Sequence, residues 1–293
     1  MDPDTPTSPV IAARRLRALL RRAREVSVTT QAEAASQLGW SMSKLMRIES
    51  GTVSVTASDV AALARLYRVG PEIEARLLAL AEAAALRGWW WRFRRQFPAP
   101  FQTYVGLEWG AASIRLYQLV VMPGLVQTPA YTEHVNRGAY GLPRHEAAAA
   151  VRQLRQEGVL NRPRPPQIYV LLDESTIRRV IGDEQVMCGQ LRWLLELTRR
   201  PNVDIRIRPF TAGTTSYLTS FSLLSFEDDP DIGYIEGIPD DTLLESPEHI
   251  SGARTAFARM WDESLTRAQT RTLLRRVAEE YGASAGTAHD VGQ

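Results

Sequence analysis

The chain has 293 residues, 44% of them hydrophobic, with 35 basic against 33 acidic side chains and a formal net charge of +2. That length allows two domains of ordinary size with packed cores, and the sequence lacks the run of about 18 apolar residues that a membrane span needs. A single cysteine, Cys188, excludes an internal disulfide and a cysteine-based zinc site.

Charge is unevenly spread. Residues 1–95 carry 15 basic and 9 acidic side chains, net +6, and the remainder is net −4. A basic head on an acidic body fits a nucleic-acid-binding module joined to something else. In chain order, the Pro-rich residues 1–9 read as a disordered tail. Arg14, Arg15 and Arg17 interrupt the first apolar stretch, which removes any signal-peptide pattern, so a cytoplasmic protein is expected. From Val10 to about Glu25 the spacing predicts a helix with Ile11, Leu16, Leu19 and Leu20 inward. Its Arg14, Arg15, Arg17, Arg21, Arg22 and Arg24 either hold phosphates or form a solvated face.

Thr30 to Gly51, TQAEAASQLGWSMSKLMRIESG, reads as two short helices about a tight turn. Ala34, Ala35 and Leu38 line the first helix, Leu45 and Ile48 the second, and Gly39 suits the turn because it accepts left-handed backbone angles. Thr29 or Thr30 can cap the first helix, with Glu33 completing a capping box, and Ser41 can cap the second. The outward face of the second helix carries Ser41, Ser43, Lys44 and Arg47, side chains suited to a major groove. The alternative is a plain helical hairpin. A fourth helix is predicted over Thr56–Tyr67 and a fifth over Glu72–Arg87, which completes a small domain.

Gln31-Ala32, Ala35, Leu38-Gly39, Ser41 and Arg47-Ile48-Glu49-Ser50-Gly51 resemble the Xre, or Cro/CI-type, helix-turn-helix. Ala34 stands where that family usually has Leu, and Trp40 where a small or polar residue is common. The resemblance implies a lambda-repressor-like fold, a backbone phosphate contact for Gln31, and a groove-facing set of Trp40, Ser41, Ser43, Lys44 and Arg47. It also implies that Glu49 ties its helix into the domain.

Residues 88–103 read as a linker. Trp89, Trp90 and Trp91 either plug into the next domain or line a ligand or partner surface, and Pro98 and Pro100 close the junction. A helix is expected over Leu107–Val120, a turn at Pro123–Pro129, and helices over Tyr131–Asn136 and Arg144–Leu160. Strand Ile168–Leu172 follows, with helices to Ile181 and over Glu184–Arg199. Val203–Phe210 alternates apolar and basic residues like a half-exposed strand. Thr219–Phe226 and Ile232–Ile235 form a hairpin, and helices Ser246–Trp261 and Ser264–Tyr281 close the chain. The strand–helix–strand order over 168–208 predicts a right-handed crossover and a parallel pair.

Leu107-Glu108 through Tyr117, then Val121-Met122-Pro123-Gly124-Leu125-Val126-Gln127-Thr128 with Tyr131, and Asp173-Glu174 with Arg178-Arg179 and Gly182 resemble a second domain of actinobacterial Xre-type regulators. That resemblance implies an antitoxin-like regulator, often encoded beside a small partner protein.

His134, His145, His249 and His289 share no metal-ligand spacing, and no phosphate loop or nucleophile elbow is present, so neither a metal nor a cofactor is expected. Asp173 and Glu174 are the only catalytic candidates. They equally suit a helix N-terminus or, for Glu174, a pair with Arg178. Asp228, Asp229 and Asp231 read as an exposed turn or a cation site. Arg206 and Arg208 suit an acidic partner, a ligand or solvent. Cys188 reads as a small core residue or a reactive thiol.

The expected class is α+β: tail 1–9, an all-α five-helix DNA-binding domain over 10–87, linker 88–103, a mixed α+β domain over 104–281, and a loose tail 282–293. The expected function is sequence-specific binding of double-stranded DNA as a homodimer. The second domain would sense a small-molecule effector, bind a neighbouring-gene protein, or dimerise. The alternatives are an enzymatic second domain acting through Asp173 and Glu174, and a pure antitoxin-like interaction module.

Overall fold

Proline and hydroxyl residues set the helix starts of the first sixty residues. Helix α1 (Pro9–Val26) opens on Pro at its first position, and α2 (Gln31–Gln37) on a capping box in which Thr30 and Glu33 satisfy each other's backbone amides. Helix α3 (Met42–Ser50) is capped by Ser41, and α4 (Ala57–Leu66) by a second box of Thr56 and Asp59. Pro71 begins α5 (Pro71–Ala85). The computed structural model describes residues 8–139, 142–213, 219–237 and 241–290, apart from the side chains of 138, 139, 142–145 and 285–290. The chain divides into two compact units, residues 1–92 and 93–293.

In the first unit, the apolar stripes of α1 to α5 meet in one core of Leu16, Leu20, Ala34, Ala35, Leu45, Val60, Leu63 and Leu77. Ala34 and Ala35 are fully buried and let α2 sit close against α3. The disordered tail expected over 1–9 is corrected at its end: Ser8 is buried and Pro9 is helical. Residues 1–7 lie outside the described part.

Helix α1 ends with Val28 in the left-handed region, φ 55°, at 88% exposure. Its N–H donates to Glu25 O, and Thr29 N–H donates to Arg24 O. A β-branched residue is strained there by about 1–2 kcal/mol, part of which glycine's extra chain entropy offsets. Val28→Gly is therefore expected to stabilise the first unit by roughly 0.5–1 kcal/mol. A urea midpoint that stays put or falls would refute this.

The linker expected over 88–103 is corrected. A 3-10 turn runs over Trp89–Phe93, and α6 (Ala99–Trp109) begins with Pro98 as its N-cap. Pro98 and Pro100 start a helix here, since the first turn needs no proline N–H.

The second unit is built on a six-stranded sheet in the order β3-β2-β1-β4-β5-β6. Strands β1 (Ser113–Gln118), β2 (Gln167–Asp173) and β3 (Val203–Arg208) are parallel. Strands β4 (Phe221–Ser225), β5 (Ile232–Ile235) and β6 (Thr242–Leu244) continue antiparallel. Helices α7 (Pro129–Ala139) and α8 (Leu142–Leu160) connect β1 to β2, and α9 (Glu174–Arg178) and α10 (Glu184–Leu197) connect β2 to β3. Helix α11 (Pro247–Asp262) covers the face bearing Tyr117, Leu171, Phe221 and Leu223.

Three expectations are corrected here. Leu107–Val120 is not one helix: α6 ends at Trp109 and β1 takes 113–118, paired on both sides. The 107, 111, 114 spacing mimics a helix, but two ladders of backbone hydrogen bonds outweigh it. On Val203–Phe210 the half-exposed alternation holds through Arg206 and fails at Arg208, which is only 2% exposed. The loose tail over 282–293 is helical to Asp290, because α12 (Arg267–Asp290) continues through it.

Candidate nucleic-acid interface

Two left-handed glycines shape the helix-turn-helix. Gly39, φ +65°, lets its own N–H donate to Ser36 O at 3.1 Å and Trp40 N–H donate to Ala35 O at 2.8 Å. These two bonds close α2 and redirect the chain. Gly51, φ +79°, closes α3 likewise, with Thr52 N–H donating to Arg47 O at 3.0 Å. A Cβ at Gly51 would also overlap the Arg17 guanidinium.

Glu49 joins three helices. Its side chain is 4% exposed and accepts from Arg24 of α1 at 2.7 and 3.1 Å and from Gln31 of α2 at 2.8 Å. Arg21 donates to the Glu49 backbone oxygen at 3.0 Å, placing positive charge at the carbonyl end of α3. Burial pushes the Glu49 carboxyl up, but the Arg24 and Gln31 hydrogen bonds outweigh it and hold it below the usual range. Burial and the Glu49 charge push the Tyr67 hydroxyl up to about 12. Gln31, which the resemblance assigned to a phosphate, thus has one amide hydrogen taken by Glu49.

Lys44 and Trp40 also turn toward their own domain. The Lys44 ammonium lies 2.7 Å from Asp59 of α4 and 3.7 Å from the centre of the Trp40 ring. Trp40 is half-buried against the core. Ser41 spends its hydroxyl oxygen on the Lys44 amide at 3.1 Å. Ser43 and Arg47 remain exposed, with Arg47 Nε donating to Ser43 O at 3.3 Å.

At about 100° per residue, the exposed positions of α3 are Met42, Ser43, Met46, Arg47 and Ser50. They share a sector of roughly 140° opposite Leu45 and Ile48. Met42 and Met46 were missed because apolar residues on a short helix are read inward. Their helical phase, shared with Ser43 and Arg47, was the available signal.

The second unit disperses its candidates. Trp90 is buried, Trp91 is 40% exposed under the Arg87 guanidinium, and Trp89 meets Trp90 edge-on; all three lie at the end of the first unit. Tyr131 is fully buried, its hydroxyl accepting from Met122 N–H at 3.2 Å. Asp173 caps α9 through Ser175 N–H at 2.9 Å. Glu174 accepts from Phe210 N–H at 3.1 Å and from Arg178 at 3.2 Å. Arg208 donates to the backbone oxygens of Gly213 and Ala212 and pairs with Glu263 at 3.1 Å. Asp231 is buried and bound by Ser225 and Arg254, which corrects the exposed aspartate turn at that position. His145 and His289 fall among the side chains not described, and Cys188 is buried. Among the described residues, no group of three His, Cys, Asp or Glu could hold a metal, and no helix is long and apolar enough to cross a membrane.

The turn after β1 is packed from inside. Gln127 donates to Met122 O at 2.6 Å, Gln190 to Val126 O at 2.7 Å, and Gln156 to Gly124 O at 2.9 Å. Gly124 lies against Arg152 and Arg155, and a Cβ there would come within 3.3 Å of both. Beneath it, Arg155 binds Glu108 at 2.7 and 2.8 Å, and Tyr104 donates to Glu108 at 2.9 Å. Neither Asp173 nor Glu174 lines the small cavity there, about 70 Å³, walled by Phe101, Tyr104, Arg152, Ser222, Tyr234 and Glu236. A wider cleft of about 520 Å³ opens beside α11 between Arg115, Tyr169, Ser225, Arg254, Phe257 and Trp261. Arg206 stacks on Trp261 at 4.4 Å and Arg115 on Tyr169 at 5.3 Å. Arg115 makes hydrogen bonds with Ser113 and Ser225 at 3.5 and 3.3 Å.

Comparison with known proteins matches residues 15–78 to a helix-turn-helix domain and residues 101–276 to a domain of unknown function, DUF5753. No curated protein and no solved structure matches the chain. The first match covers α2 and α3 with the helices around them, so the first unit has the fold of a DNA-binding regulator. The second match covers more than half of the 293 residues, and the chain therefore belongs to the DUF5753 family, here carrying an amino-terminal helix-turn-helix domain.

Proposed function

We propose that this protein is a sequence-specific regulator of the Xre type that binds double-stranded DNA as a homodimer through the exposed face of α3. The single supporting observation is the pairing of that face, with Ser43 and Arg47 free of the core, and a rear side locked to α1 and α2 through Glu49. A helix held this way can enter a major groove without bending, and two copies fix a half-site spacing. Among the candidate contacts, Ser43 and Arg47 act directly, while Gln31, Trp40, Ser41 and Lys44 position the helix.

Arg47→Ala is expected to weaken binding by about 1–3 kcal/mol, and to relax preference at one base pair if Arg47 reads a base. An equal loss on every sequence would make it a phosphate contact instead. Footprinting of the full chain on its own upstream region tests the reading as a whole. Protection no stronger than on arbitrary duplex refutes it.

For the DUF5753 domain the supported role is sensing, at the cleft of Arg115, Tyr169, Arg254 and Trp261, of an anionic small molecule or an acidic face of a small partner protein. The support is the guanidinium of Arg115, which serine hydroxyls and a tyrosine ring surround. Adding cell extract to the footprint separates the two: a dialysable fraction that changes protection indicates a ligand, a retained one a protein. No change with either refutes sensing.

A further inference from the structure

We infer that α3 reads thymine by its 5-methyl group, through Met42 and Met46. This rests on the DNA-binding reading above and names the base chemistry it recognises. Met42 is 50% exposed and Met46 48% exposed, while Leu45 and Ile48 on the same helix are buried and supply its core contacts. The two methionines are thus not needed to hold α3 in place. They sit among Ser43, Arg47 and Ser50, so the face is apolar at two points and polar elsewhere.

Duplex DNA offers one apolar group on its major-groove base edges, the thymine methyl. Methionine suits it, because the unbranched thioether adapts to an irregular surface. Met42 and Met46 are separated by about 6 Å along the helix axis, a span of about two base-pair steps at roughly 3.4 Å each. The net +6 carried by residues 1–95 favours a polyanion over an apolar protein partner on this face. The expected half-site therefore carries one or two thymines at the position of the methionines, flanked by groups that Ser43 and Arg47 can reach.

The test selects a duplex from a random pool with the full-length protein, then replaces each protected thymine in turn by uracil, which removes the methyl and nothing else. At one or two positions affinity should fall about fourfold, the effect of about 0.8 kcal/mol for one buried methyl-sized group. Met42→Ala or Met46→Ala should bind the thymine and uracil duplexes equally at the matching position, and Met46→Leu should keep discriminating. Equal affinity for uracil and thymine at every position of a selected duplex overturns the methyl reading and leaves DNA binding standing. Discrimination that survives both alanine variants overturns the assignment to these side chains. Failure to enrich any duplex overturns the DNA reading itself, and this inference with it.

Discussion

Glu108→Ala is expected to destabilise the sheet-bearing unit by about 3–5 kcal/mol. Glu108 is fully buried, and its two oxygens receive Arg155 in a bidentate pair and the Tyr104 hydroxyl. Burial opposes the Arg155 charge, yet Glu108 holds its guanidinium above the ordinary value. Removing the carboxylate leaves that guanidinium without its counter-charge in a site where water cannot replace it. The loss is a large fraction of the roughly 5–15 kcal/mol that holds a domain folded. Hydrogen exchange should report it as faster exchange in α6 and α8, which the Glu108–Arg155 pair joins, with the first unit unchanged. Glu108→Met with Arg155→Met should recover most of the loss, since removing both charges removes the desolvation penalty as well. A loss below about 1 kcal/mol in the single variant would show that the pair is solvated.

Glu49→Ala should have the next largest effect, about 3 kcal/mol on the first unit, because it leaves Arg24 half-buried and unpaired. Loss of DNA binding should accompany it, since Glu49 is the point at which α1, α2 and α3 are joined. The same carboxylate predicts a pH dependence. Its folded-state value lies below the ordinary 4.5, so its contribution is present above that value and is lost as pH falls through the folded one. Asp59 behaves alike: burial raises its carboxyl, and Lys44 and Thr56 outweigh that and lower it. The urea midpoint of the first unit should therefore drop below pH about 4.5, more steeply in the native chain than in Glu49→Gln. Parallel curves for the two proteins would remove Glu49 from the account.

These two carboxylates illustrate how differently the chain could be read. Glu49 stood in a recognisable string, Arg47 to Gly51, and its structural role followed from resemblance. Glu108 lay inside a stretch read as continuous helix, and its partner is 47 positions away. Lys44 and Trp40 suit an outward face because no residue close to them in sequence opposes it. Asp59, fifteen residues on, turns Lys44 back. Arg208 alternated with apolar neighbours as an exposed strand residue would, yet loop carbonyls and Glu263 enclose it.

The sequence by itself determined the helix-turn-helix, the Thr30–Glu33 capping box, the left-handed turn at Gly39 and the mixed α+β class. Each of these depends on residues within about four positions of one another, or on a hydrophobic period repeated along one element. Tertiary structure alone decided that 113–118 is a central strand, that Glu108 meets Arg155, and which cations stay free on α3. Pairing of strands and enclosure of a charge depend on groups distant in sequence, and a local pattern carries no record of what will be brought against it.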